Sequence, residues 1–262
     1  MTAPRETLVM DKKNVGYSID GHRRFAAGLL VLFAIVFVAF AWSPSYRADW
    51  LLENALVFLL VPLLVLSHRR LPLSKLSYTS IFLFLCLHEI GAHYTYAEVP
   101  YDAWCREVFG QELGPRLGWE RNHFDRLVHF LFGVLITYPT REIFLRVSNA
   151  RGFWGYLFPL LVVMSGSMLF ELLEWAAALV FGGDLGMAYL GTQGDVWDSH
   201  KDSALATLGA LVASGLIAAV HASLDRDFAR EWIDSLRVKR PEPMGEVAAR
   251  RMIENDRPNQ SR

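Results

Sequence analysis

The 262-residue chain has no excess of either charge: 26 Lys and Arg stand against 27 Asp and Glu, for a formal net charge of −1. No bulk basic or acidic balance points to nucleic acid or to an acidic partner. Cysteine is scarce as well. Cys86 sits inside an apolar run and Cys105 in a polar loop, which speaks against a structural disulfide and leaves no CxxC zinc pair. No Gly-x-Ser-x-Gly elbow, phosphate loop or dinucleotide fingerprint is found, so serine-nucleophile, nucleotide and nicotinamide chemistries have no support. Internal repeats and low-complexity tracts are missing too.

What is most conspicuously short is polar interruption. The chain is 53% hydrophobic with a mean hydropathy of +0.23, and six apolar stretches hold most of it: Phe25–Trp42, Leu51–Ser67, Tyr78–Tyr96, Leu127–Tyr138 continuing to Leu145, Gly155–Phe181 and Ala204–Ala222. About 20 apolar residues carry a helix across the roughly 30 Å hydrocarbon core. The backbone in lipid must satisfy its own hydrogen bonds, so these stretches are helices. The expected fold is all-α, a polytopic membrane bundle of about six helices. Residues 1–24 form a polar N-terminal arm, residues 25–223 the membrane domain, and residues 224–262 a cytoplasmic tail, partly disordered. Ala39-Phe40-Ala41 resembles a signal cleavage site, but the apolar run exceeds an ordinary h-region, so the first stretch reads as an uncleaved anchor.

Lys and Arg set the orientation. With the N-terminus inside, 20 of the 26 basic residues face the cytoplasm, and only Arg47, Arg106, Arg116, Arg121, Arg126 and Lys201 lie outside. That bias predicts both termini in the cytoplasm.

Under this topology the ionisable residues of four helices come to the outer side. Those are His88, Glu89 and His93 on the third, Asp125 and His129 on the fourth, Glu171 and Glu174 on the fifth, and Asp195, Asp198 and Asp202 before and on the sixth. Asp125 and His129 are four apart and share a helix face. Glu171 and Glu174 are about 60° apart around the axis, as are the three aspartates if already helical, whereas His200 points away. Gly194 can instead mark a turn, leaving Asp195 free and Asp198 or Ser199 as the helix cap. A charge at the bilayer centre costs about 2.5–3.5 kcal/mol even on the gentlest scale. Clustered carboxylates repel until protons or a cation intervene. A divalent metal (Zn, Mn or Fe) is the expected neutraliser, with His93, His129, Glu174, Asp198 and Asp202 as ligands and Glu171 beside them. The competing reading is a satisfied polar network that locks the bundle. Glu89, on another face from His93, reads as paired with a neighbour, Glu53 as an interfacial charge, and His221 as snorkelling. Trp42, Trp50, Tyr94, Tyr96, Tyr101, Trp104 and Trp197 read as a membrane belt.

The stretches His88–Pro100 (HEIGAHYTYAEVP), Asn122–Phe130, Glu171-Leu-Leu-Glu174-Trp175 and Gly191–Asp202 (GTQGDVWDSHKD) resemble the YjdF-like family of bacterial inner-membrane proteins, over roughly Phe25 to Ala222. A more distant likeness is to the VanZ-like superfamily. Its pattern is met here by Asp125-Arg126-x-x-His129-Phe130, Glu171-x-x-Glu174 and Asp198–Gly209, with Glu174 standing where Gln is usual. The resemblance implies an inner-membrane fold and a site. The expected function is a metal-dependent membrane hydrolase acting on a lipid-linked or amphipathic substrate at the outer leaflet. Asp125 or Glu171 would be the general base or would orient His129. Arg121 and Arg126 would steady an anionic headgroup, and Tyr94 and Tyr96 would line the entrance. A proton- or cation-coupled transporter and a non-catalytic scaffold are the alternatives.

Overall fold

A computed structural model describes residues 19–183, 191–224, 227–239 and 241–255. Every element among them is helical: α1 Ile19–Ala41, α2 Arg47–Glu53, α3 Ala55–Ser67, α4 Lys75–Tyr94, a 3-10 turn Tyr96–Glu98, α5 Tyr101–Phe109, α6 Leu113–Leu117, α7 Phe124–Val147, α8 Trp154–Phe181, α9 Asp198–Leu224, α10 Phe228–Ser235 and α11 Met244–Asn255. The polytopic helical bundle expected from the apolar stretches is what the chain forms. Its large hydrophobic side chains point outward, Leu59, Leu66, Val180 and Leu216 among them, as they do where the solvent is lipid.

Among the described residues, four segments are long and apolar enough to cross a membrane: Asp20–Ala41, Arg47–Ser67 (α2 with α3), Trp154–Phe181 and Asp198–Leu224. The remaining two long helices, α4 and α7, are of spanning length, 20 and 24 residues. They fall short in hydropathy because they carry the charges. Both lie inside the bundle: α7 packs most extensively on α9 and also on α4 and α8, while α4 lies between α1 and α7. Neighbouring helices cover their polar faces, so these two need less apolar surface than helices turned toward lipid.

Small residues let the central pair approach closely. On α9, Ala206, Gly209, Ala210 and Ala213 are buried against the α7 face that holds Gly133. This stripe replaces the large apolar core of a water-soluble bundle. At one end of the bundle Ser74 caps α4 by accepting from Ser77 N. Glu142 of α7 reaches the same turn, accepting from Ser74 N at 2.8 Å and Ser77 Oγ at 2.5 Å. Arg146 donates to the Pro72 carbonyl beside it. This is called the tail end below, because the C-terminal segment returns to it.

The C-terminal segment includes helices α10 and α11. Among its described residues, α10 docks on the start of α8: Trp232 packs on Tyr156 and Phe153, and Ser235 Oγ accepts from Phe153 N. His221 pairs with the Tyr156 hydroxyl at 3.2 Å rather than reaching for the interface. The expected N-terminal arm lies outside the described residues up to residue 18, and from Ile19 onward it is already α1. The two cysteines are free thiols.

Candidate functional site

At the opposite end, a strap fixes the starts of α7 and α9 together. Asn122 Oδ1 accepts from Phe124 N, and its Nδ2 donates to Val99 O, each at 2.9 Å. Gln193 clasps the Asn122 backbone from both sides, its Oε1 accepting from N and its Nε2 donating to O. Gln193 and Gly194 both have positive φ, +46° and +85°, and Gly tolerates that region without penalty. The turn lets Asp195 Oδ1 accept from Trp197 N at 3.1 Å. Asp195 thus closes a side-chain turn just ahead of α9. It is also pinned rather than free: Arg126 donates to it at 2.5 Å and Lys201 at 2.6 Å.

The Lys201 ammonium, the Trp197 N–H and Arg126 hold the Asp195 carboxyl well below the usual carboxylate range. A carboxylate depressed on folding contributes stability above its unfolded value of about 3.9, which is lost as pH falls toward the folded value. Asp195→Asn should therefore loosen the 191–197 strap several-fold at pH 7, read by amide exchange relative to wild type. The gap should narrow as pH drops below about 4.

Three aspartates converge behind the strap. Asp125 on α7 and Asp198 and Asp202 on α9 each offer an oxygen, all within 4.8 Å of one another. Asp198 and Asp202 are buried, 3% and 1% exposed. His129 sits one turn deeper on α7. Its Nε2 is 3.2 Å from Glu171 Oε1 and 3.6 Å from Asp125 Oδ1, and its Nδ1 shares a 3.1 Å hydrogen bond with Ser167 Oγ. Glu174, buried one turn along α8, interacts electrostatically with Glu171 and Asp125. The helical spacing read from the sequence thus brings together Asp125, His129, Glu171, Glu174, Asp198 and Asp202.

Other expectations are corrected. His93 lies on the α1 side of α4, where its Nδ1 donates to Phe40 O at 2.7 Å and its ring meets Phe40 edge-on, outside the aspartate cluster. Arg121 and Arg126 serve the acids rather than a headgroup. Arg121 grips Asp198 through both guanidinium nitrogens at 2.7 and 3.1 Å, and Arg126 bridges Asp195 and Asp198. Tyr96 is buried, its hydroxyl 2.6 Å from His88 Nδ1, and does not line an entrance. Tyr94 is half-buried against Trp104. Of the presumed belt, Trp42 and Trp197 are exposed but Trp50 is interior.

Glu53 is a further residue whose place differs from expectation. It is 4% exposed and lies near Asp125 and Asp49. With Asp49, Glu89 and His88 it extends the polar interior toward α2 and α4. Glu89 is fully buried with its carboxyl facing the Trp50 side chain, Asp49 faces Thr95, and Glu53 Oε2 is without a hydrogen bond. The signal that finds this face is the spacing of Asp49, Trp50, Glu53 and Asn54, an i, i+1, i+4, i+5 pattern of polar groups on one side of a helix. Among the described residues, the Lys and Arg ion pairs to this set of carboxylates come from Arg121, Arg126 and Lys201, and all of them go to Asp195 and Asp198.

Comparison with known proteins agrees with this frame. Residues 25–223 match the family described as "Predicted membrane protein (DUF2238)". The chain is 39% identical over 187 residues to the inner membrane protein YjdF of Escherichia coli (strain K12), an alignment covering 71% of this chain and 85% of that one. No solved structure matches it. A helical membrane bundle, a family match over its whole membrane domain and this relative together identify the chain as an inner-membrane protein that belongs to the DUF2238 family.

Proposed function

We propose that the protein is a metal-dependent membrane hydrolase whose site is the Asp125–Asp198–Asp202 cluster, acting on a lipid-linked or amphipathic substrate. The observation that carries this reading is the convergence of three carboxylate oxygens within 4.8 Å, two of the aspartates buried. Oxygen ligands at about 2.1–2.5 Å from one cation lie about that close to each other. An all-oxygen set favours Mg or Mn over the Zn or Fe that mixed ligation would suit. The VanZ-like likeness of Asp125-x-x-x-His129, Glu171-x-x-Glu174 and the aspartates of α9 supports the same grouping. Six spans with both termini inside put the cluster at the outer face, a reading supported by the Lys and Arg distribution.

The roles assigned to Asp125 and His129 change places. Asp125 becomes a ligand and His129, one turn behind, the general base. With its Nδ1–H donated to Ser167 Oγ, the ring would be fixed in the tautomer that leaves Nε2, which faces Asp125 and Glu171, to take the proton. Arg121 and Arg126 position Asp198 through charge-assisted bonds. A divalent ion held by Asp125, Asp198 and Asp202 would supply Lewis acidity toward a phosphoryl or acyl oxygen.

Elemental analysis of purified protein tests the site, with one Mn or Mg per chain expected and its loss in Asp198→Asn. Phosphate or acid release from lipid-linked substrates, dependent on that ion and on His129, tests the chemistry. A second reading, proton-coupled transport, is favoured by the uncompensated carboxyls Glu53 and Glu89. Metal-free protein that drives proton-coupled uptake in liposomes would establish it instead.

A further inference from the structure

At the tail end, remote from the carboxylates, α1 and α3 both lean against α4 and leave a crevice of ≈ 390 Å³ between them. That is within the size range of small-molecule sites, about 300–1,000 Å³. Toward the middle of the bundle the crevice is closed where Phe37 of α1 meets Phe58 of α3, 5.8 Å between ring centroids. Its walls are apolar, Leu30 and Phe33 from α1 and Val61 and Val65 from α3, over a floor of Ile81 and Leu85 from α4. Its mouth carries the guanidinium groups of Arg23 and Arg69 beside the His68 imidazole, and no acid is among its lining residues. Among the described residues neither Arg23 nor Arg69 has a carboxylate within ion-pair distance.

We propose that this crevice is a binding site for an anionic phospholipid, its phosphate at Arg23, Arg69 and His68 and an acyl chain between α1 and α3. Any lipid-facing groove collects acyl chains. What selects an anionic lipid here is a mouth with two guanidinium groups and an imidazole and, among the described residues, no carboxylate paired with them, set at the end of three helices where headgroups lie. Arginine forks bind phosphate in two-point fashion, and basic pockets between membrane helices recognise anionic headgroups. The local field agrees with this. Burial first, then the charges of His22 and Arg23, push the His68 imidazole below its ordinary value, as expected where positive charge is uncompensated. His68 is held facing the mouth by a 2.6 Å hydrogen bond between its Nδ1 and the Tyr78 hydroxyl. The site is independent of the hydrolase reading.

Native mass spectrometry tests the proposal on the full chain, delipidated and then offered equal phosphatidylglycerol and phosphatidylcholine of the same acyl chains. Wild type should retain phosphatidylglycerol about tenfold over phosphatidylcholine. The Arg23→Gln/Arg69→Gln pair should bind both lipids equally, whereas Arg151→Gln, at the same end but outside the crevice, should keep the preference. Leu30→Trp, which fills the crevice and leaves its charges, should lower retention of the anionic lipid. Excess glycerol phosphate should not displace the lipid. Equal retention by wild type, a preference that survives the double substitution, undiminished anionic-lipid retention in Leu30→Trp, or displacement by glycerol phosphate would each overturn the assignment.

Discussion

Gly209→Val should abolish the folded bundle, costing about 3 kcal/mol or more where overpacking a core ordinarily costs 1–3 kcal/mol. The reason is what the new side chain meets. A Cβ at Gly209 falls on the Phe130 carbonyl oxygen and near Val134 N. A Cβ at Gly133 falls on the Ala206 carbonyl oxygen and Ala210 N. These are backbone atoms of the facing helix, which cannot swing aside as a side chain would, so α7 and α9 must separate. In lipid no hydrophobic gain offsets lost van der Waals contact between helices. The chain contains its own controls. Gly28 and Gly215 have nothing within 4 Å of the added Cβ, so alanine there should leave the unfolding midpoint in detergent nearly unchanged. Separation also reaches the site: Asp125 and His129 lie eight and four residues before Gly133, and Asp202 lies seven before Gly209. The milder Gly209→Ala should therefore weaken metal retention together with stability.

The parts of this arrangement visible in the sequence are those governed by helical spacing within one segment. Asp125 with His129, and Glu171 with Glu174, are such pairs, and both share the interior. His88 and His93 are five apart, about 140° around the axis, and α4 does send them to different neighbours. What spacing cannot convey is how a helix is rotated against its partners. Glu53 read as an interfacial charge because it stands near the start of an apolar run. A turn at Asn54, which separates α2 from α3, points Asp49, Trp50 and Glu53 inward. Tyr96 read as a belt residue, yet Thr95 takes φ +58°, a left-handed value unfavoured for a branched residue, and folds the ring back over Gly91. Arg121 and Arg126 meet acids about 70 residues away through a loop-to-helix strap that no local pattern announces. The four apolar spans were legible from composition, whereas α4 and α7 were legible only as long helices too polar to stand in lipid alone.

Asp202→Asn separates a metal site from a structural network by the sign of its effect. Asp202 is 1% exposed, and its Oδ1 has no hydrogen-bond partner. Its nearest charged neighbours include Asp125, Asp198 and His129. If the residue holds an ion, the variant should lose Mn affinity at least 100-fold, about 2.7 kcal/mol. The metal-free variant should at the same time be more stable than metal-free wild type, because one member of a mutually repelling set has become neutral at unchanged shape. The amount is about 1 kcal/mol if the repulsion resembles that of other partly compensated buried charges. Adding Mn should reverse the order, raising the unfolding midpoint of wild type alone, since binding stabilises only the form that binds. A locking network predicts the opposite in every arm: Asp202→Asn would break a satisfied contact, lower the midpoint without metal, and leave both proteins indifferent to Mn. Two thermal melts per protein, with and without Mn, therefore decide whether the carboxylates at this end of the bundle await a cation or merely hold four helices in place.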